Sequence, residues 1–193
     1  MPEAAVGPPR DLPLAGRRLI TPDNRLTIVP APAASRYVLR CRPADALLVG
    51  NALGIGLPIQ ACRSHMSGSK AALWLGPDEW LLIADPAHAW ARVEGVVISL
   101  VDVSHKSVAI ELKGMGPEDV LTSDCPLDLH EAKFGPGTCV RTVFGKCEVV
   151  LWRRVPDAFW LDVPRSHADY AWRLLEAACS DAADLWKTPN RAP

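Results

Sequence analysis

Apolar residues at Ala168, Ala171, Trp172, Leu175, Ala178 and Cys179 recur at the spacing of one buried helical stripe. Ser166 stands where it would cap that helix, with Asp169 three residues on. The rest of the chain is patterned in shorter pieces. Tyr37–Arg42 reads as a strand, and Pro43 follows where a first helical turn tolerates a missing N–H. Asp45 complements the start of that helix, which runs to about Leu53 with Gly54 as its C-terminal cap. Ala71–Leu75 and Trp80–Ala84 predict a hairpin across Gly76-Pro77-Asp78-Glu79. A short helix near Pro86–Val93 and the apolar strand Val96–Val103 follow. Beyond them, Ser107–Leu112 reads as a strand and Pro117–Asp124 as a helix with Glu118 and Asp119 in its first turn. Thr138–Phe144 and Cys147–Leu151 form a second hairpin on Gly145-Lys146, where glycine supplies the positive φ of a two-residue loop. Phe159–Val163 is a further strand.

These elements recur in order. Leu73-Trp74-x-x-Pro77-Asp78-x-Trp80-Leu81 reappears as Leu151-Trp152-x-x-x-Pro156-Asp157-x-x-Trp160-Leu161, at an offset of 78 for the first tryptophan and 80 for the second. Tyr37-Val38-Leu39-Arg40 with Pro43-Ala44-Asp45-Ala46-Leu47 likewise matches Val108-Ala109-Ile110-Glu111 with Pro117-Glu118-Asp119-Val120-Leu121. One supersecondary unit used twice accounts for this. The expected fold is α+β: two ferredoxin-like β-α-β-β-α-β halves, at 36–104 and 105–186. Before them lies a Pro-rich arm, residues 1–35, with one short strand at Leu26–Val29; proline bars such a stretch from a sheet interior or a long helix. A short tail, 187–193, ends the chain.

Composition narrows the partners. Lys and Arg number 21 against 22 Asp and Glu, with no basic stripe, which argues against nucleic acid. No apolar run approaches the ~18 residues of a membrane span. The opening residues lack the charged-then-apolar layout of a secretory signal. The six cysteines are therefore expected as reduced thiols of a cytoplasmic protein, with Cys41, Cys125 and Cys179 buried.

No self-sufficient active site emerges. Asp102, Ser104 and His105 have the chemistry of a hydrolytic triad, but along a strand His105 points away from the other two. They read better as a strand end whose Asp and Ser bond nearby backbone. Cys62-x-x-His65 with Cys125 and His130 lacks the two tight pairs of structural zinc, so no stoichiometric metal is expected. A hairpin on Gly145-Lys146 sets Phe144 opposite Cys147 and Cys139 opposite Trp152, too far apart for a Cys139–Cys147 disulfide. Gly54-Ile55-Gly56 and Ser67-Gly68-Ser69-Lys70 lack the spacing of phosphate cradles and read as turns. Trp74, Trp80, Trp152 and Trp160 read as core or interface anchors rather than a ligand-stacking set.

Val101-Asp102-Val103-Ser104-His105-Lys106-Ser107, then Gly114-x-x-Pro117-Glu118-Asp119-Val120-Leu121, resembles the opening of the glycine-cleavage T-protein (aminomethyltransferase) superfamily. Asp124-Cys125-Pro126-Leu127-Asp128-Leu129, Phe134-Gly135-Pro136-Gly137, Val163-Pro164-Arg165-Ser166 and the Leu75–Leu81 turn are similar to the gamma subunit family of heterotetrameric sarcosine oxidase. That resemblance, over about 36–180, implies a complex of alpha, beta, gamma and delta chains. The complex oxidises sarcosine to glycine and passes the one-carbon unit to tetrahydrofolate. It implies FAD, FMN, NAD and tetrahydrofolate on the alpha and beta chains and zinc on delta. Gamma is then a structural subunit with a T-protein-like fold, and no catalytic, cofactor or metal residue is assigned to it. The Asn and paired acids that T-proteins carry for folate chemistry are missing from Thr142–Val149, where only Glu148 remains. The alternatives are a stand-alone folate-binding aminomethyltransferase or the equivalent subunit of a related N-methyl amino acid dehydrogenase. On this resemblance the arm is expected to dock on a flavoprotein partner. Arg10, Arg17 and Arg18 would face its carboxylates, with Leu12, Leu14, Leu19 and Ile20 as apolar anchors.

Overall fold

A computed structural model describes residues 13–21 and 24–186, with side chains through Ala182. Its elements in chain order are β1 (Leu19–Ile20), β2 (Leu26–Pro30), β3 (Ser35–Cys41), α1 (Ala46–Leu53), β4 (Ser64–Ser67), β5 (Lys70–Gly76), β6 (Glu79–Ala84) and β7 (Ile98–Asp102). They continue as β8 (Ser107–Gly114), α2 (Pro117–Leu121), β9 (Cys139–Phe144), β10 (Cys147–Val155), β11 (Ala158–Pro164) and α3 (Ala168–Trp186). Two antiparallel sheets result. The first is ordered β4-β5-β6-β3-β7 and the second β1-β2-β8-β11-β10-β9. Alternation along each strand sorts apolar side chains into three cores. Leu39, Ala72, Trp80 and Leu82 face Ala46, Val49 and Leu53 of α1. Ile110, Leu112, Leu151, Phe159 and Leu161 face α2 and α3. Leu73, Leu81, Ile83, Trp152 and Trp160 fill the space between the sheets.

The chain is a duplication with exchanged strands. Each half builds the same order, β4-β5-β6-β3 against β9-β10-β11-β8. The strand leading each half crosses over: β2, just before β3, pairs with β8, while β7, just before β8, pairs with β3. The β-α-β-β-α-β order expected for each half is therefore not the one adopted.

The repeated hairpins do occupy equivalent places, but their tryptophans do not. Gly76 pairs with Glu79 around Pro77-Asp78, and Val155 with Ala158 around Pro156-Asp157; a bulge precedes each turn. The shared Pro-Asp turn thus lies at a constant offset of 79 positions, from Pro77 to Pro156 and from Asp78 to Asp157. On that register Trp80 corresponds to Phe159 and Trp74 to Arg153, while Leu73 and Leu81 correspond to Trp152 and Trp160. Both halves keep a cross-strand pair, Trp74 opposite Trp80 and Trp152 opposite Trp160. A shift of one residue turns a side chain to the other face, so Trp80 packs under α1 and Trp160 packs between the sheets.

Other expectations need correction. Residues 86–93 form no helix: Asp85 accepts the His88 N–H in a turn, and Trp90 packs edge-on against Tyr37 and His88. So short a segment is marginal as a helix, and the aromatic anchor decides its path. Ser166 does not cap α3. A single 3₁₀ turn at Arg165–His167 leads in after Pro164, and the Ser166 hydroxyl meets His167 Nδ1 at 3.0 Å. The α3 stripe holds, with Ala168, Ala171, Trp172, Leu175 and Ala178 buried and Cys179 packed beside them. The strand at Leu26–Val29 forms but lies inside the second sheet, between β1 and β8, with prolines only at its margins. Among the described residues of the arm, Leu14, Arg17 and Leu19 rest on their own chain. Leu14 is 2% exposed in the second-half core and Leu19 packs against it. Arg17 lies 2.5 Å from Asp169 and over the Trp172 ring. Arg10, Leu12 and the tail 187–193 lie outside the described residues.

Candidate functional site

Charged residues inside apolar strands mark the chemistry between the two sheets. Arg36 on β3 reaches across to Asp162 on β11, Nε to Oδ2 at 2.6 Å, with both side chains buried. Arg36 also lies over the Trp160 ring, and the Trp160 indole N–H donates to the same carboxylate at 3.4 Å. Glu79 on β6 mirrors this pair from the opposite half. Arg141 on β9 donates to its Oε1 at 2.6 Å, and Arg40 donates to its Oε2. Burial pushes the Glu79 carboxyl up, but the two guanidinium groups outweigh it and hold the group below the usual carboxylate range. Glu111 takes Arg154 at 3.0 Å and Lys113 at 3.1 Å, and Arg154 spreads over the rings of Trp152 and Trp160. Each of these carboxylates is paired with at least one cation from another strand and so clamps strands together.

Asp102, Ser104 and His105 help to line a cleft of about 310 Å³, together with Arg36, Tyr37 and Arg165. The strand-end reading is borne out. Asp102 accepts the Ser104 N–H at 2.8 Å, and the Ser104 hydroxyl accepts the Arg36 N–H at 2.9 Å. Hydrogen bonds from Ser104 lower the Asp102 carboxyl, and burial raises the neighbouring Tyr37 phenol. The motif joins β7 to β3 and builds no nucleophile.

The remaining candidates fall into place singly. Gly54 is the left-handed cap of α1, φ 64°, and its carbonyl accepts Lys70 Nζ at 2.6 Å. Ser67 pairs with Lys70 around Gly68, as a turn should. Among the described residues no group of three His, Cys, Asp or Glu is placed to hold a metal ion. Cys62 and His65 flank the edge of the first sheet, whereas Cys125 and His130 belong to the loop region after α2. Cys139 faces Trp152 and Cys147 faces Phe144, the expected register, so the two thiols stand at opposite ends of the hairpin. Burial pushes the Cys139 thiol up to about 12 and that of Cys179 up to about 11. Glu148 is exposed, with Arg141 Nε at 3.7 Å. The tryptophans are core: Trp80 donates to the Pro58 carbonyl and Trp152 to the Ser64 hydroxyl, each at 2.8 Å.

Sequence reasoning did not anticipate Arg153, which organises the loop from 122 to 138. Its guanidinium is buried, donates to the Leu129 and Phe134 carbonyls, and pairs with Glu118 at 2.7 Å. The signal was present in the chain: an Arg within the apolar run Val149–Trp152 and its continuation needs buried acceptors. This loop carries Asp124–Leu129 and Phe134–Gly137, the segments that resemble sarcosine oxidase gamma chains.

Comparison with known proteins agrees. The model of the sarcosine oxidase, gamma subunit family matches residues 39–181. The chain belongs to the sarcosine oxidase gamma subunit family. It is 35% identical over 140 residues to sarcosine oxidase subunit gamma of Arthrobacter sp, covering 68% of each chain. Against the gamma subunit of Corynebacterium sp. (strain P-1) the identity is 35% over 145 residues, 70% of each. Both relatives are gamma subunits, which disfavours the stand-alone aminomethyltransferase. The fold is likewise similar to a chain of the heterotetrameric sarcosine oxidase from Corynebacterium sp. U-96 in complex with pyrrole 2-carboxylate. That match has a TM-score of 0.73, 24% identity, and coverage of 86% of this chain and 88% of that one. The glycine cleavage system aminomethyltransferase T of Bartonella henselae aligns with a TM-score of 0.59 and 15% identity, over 77% of this chain and 44% of that one. This chain thus has a mixed α+β fold with two antiparallel sheets, similar in fold to that sarcosine oxidase chain and to part of the aminomethyltransferase. No helix among the described residues is long and apolar enough to cross a membrane.

Proposed function

We propose that this chain is the gamma subunit of a cytoplasmic heterotetrameric sarcosine oxidase and serves there as a structural subunit. The observation that carries the reading is the family match across 39–181, which takes in strands of both sheets and the loop that Arg153 holds. The complex would demethylate sarcosine oxidatively and pass the one-carbon unit to tetrahydrofolate, with FAD, FMN, NAD and zinc on the alpha, beta and delta chains. A structural role suits the pairing of Glu79, Glu111 and Asp162, each of which holds a cation from another strand. The test is co-expression with and without the alpha, beta and delta chains. The full chain should co-purify in equal amount with them, and alone it should neither consume sarcosine nor bind tetrahydrofolate in calorimetry. Sarcosine turnover or micromolar tetrahydrofolate binding by the isolated chain would overturn the structural reading. Failure to co-purify would overturn the assignment to the complex.

A further inference from the structure

The internal duplication exposes a vacancy in strand pairing. In the second sheet β2 is covered on its outer side by β1, through Leu19 opposite Ile28 and Ile20 opposite Thr27. Its counterpart in the first sheet is β7, since Ile28 lies against Leu112 as Leu100 lies against Leu39. Among the described residues nothing covers β7 in the same way, and it ends its sheet. The segment that would supply the sixth strand, residues 86–97, is drawn instead onto the outer core by Trp90, Val93 and Val96.

The edge has the chemistry of a strand meant to be paired. Ile98-Ser99-Leu100-Val101-Asp102 carries the β-formers Ile98 and Val101, with no proline, lysine or arginine and its one charge, Asp102, at its end. Val97 is 85% and Val101 50% exposed. The other sheet edges are managed: β1 has two residues, β4 is Ser64-His65-Met66-Ser67, and β9 carries Arg141 at its middle. Register fixes which groups are open. The Arg36 carbonyl accepts the Val103 N–H, so alternation turns the amides of Leu100 and Asp102 away from β3. Among the described residues no turn or loop backbone bond reaches them.

We infer that the β7 edge receives an extended strand of another subunit, which adds beside Ile98–Asp102 as the sixth strand of the first sheet. The inference rests on the gamma-subunit reading, under which the complex supplies four different chains and no second copy of this one. The incoming strand carries apolar side chains at alternate positions, to cover Val97 and Val101, and its backbone satisfies Leu100 and Asp102.

Hydrogen exchange of the full chain, alone and in the co-expressed complex, reads this directly. Amides of 97–102 should exchange about tenfold or more slowly in the complex, while those of β4 keep their rates. A V97K/V101K variant should keep its melting temperature and lose about tenfold in recovery with the other subunits. Unchanged exchange at 97–102 within an intact complex overturns the strand docking and leaves the gamma assignment standing. Protection that appears in the isolated chain and rises with its concentration overturns it in favour of a second copy. Loss of co-purification of the unmodified chain removes the gamma reading and the docking with it.

Discussion

The two hairpins share a turn and differ in what they bury. Pro77-Asp78 and Pro156-Asp157 close the same bulged loop, yet Trp80 lies under α1 while Trp160 faces the opposite sheet. The backbone preserves the duplication and the side chains have been reassigned. What each half lost in symmetry it recovered in reciprocity. The first half sends Arg36 to Asp162 and the second sends Arg141 to Glu79.

The strongest way to break that reciprocity is Arg36→Ala, which strands the Asp162 carboxylate between the sheets. Urea unfolding should show a loss of about 3–5 kcal/mol, because an unpaired buried charge costs more than the pair contributed. An Arg36→Ala/Asp162→Leu double variant should recover much of it; equal destabilisation in both would mean the pair is not coupled.

Next in size is Leu14→Ala, expected to cost about 2–4 kcal/mol for a residue buried in the second-half core although it precedes the first half. Leu47→Ala on α1, at a position 78% exposed, should stay within about 0.5 kcal/mol. If the two variants melt alike, residues 13–20 are not part of the core.

Acid sharpens the comparison at Glu79. Its folded carboxyl lies below the usual range, so its contribution is present above the ordinary carboxylate pKa and is lost as pH falls through the lowered folded value. Stability followed from pH 7 down to pH 3 should fall less steeply in Glu79→Gln than in the parent chain. Identical slopes would show that the clamp is not linked to protons.

The smallest effect is chemical. Iodoacetamide at pH 8 should label Cys139 last and slowly, because burial pushes its thiol up to about 12. Labelling of Cys139 at the rate of an exposed thiol, measured by peptide mass, would mean that the core between the sheets opens readily.

Short-range chemistry made much of this chain legible in its sequence. The α3 stripe, the Gly54 cap, the Phe144–Cys147 register and the Asp102–Ser104 strand end each depend on neighbours a few residues away. So did the segments that resemble sarcosine oxidase gamma chains. The tertiary structure decided what depends on distant partners. It chose that β2 and β7 change sheets, that Pro86–Val93 is held by Trp90 rather than coiled, and that Arg153 finds acceptors in a loop about twenty residues earlier. It also decided the faces of the repeated tryptophans. A strand's side chains alternate with period two, so a one-residue difference in register, invisible in the order of the motif, exchanges core for core.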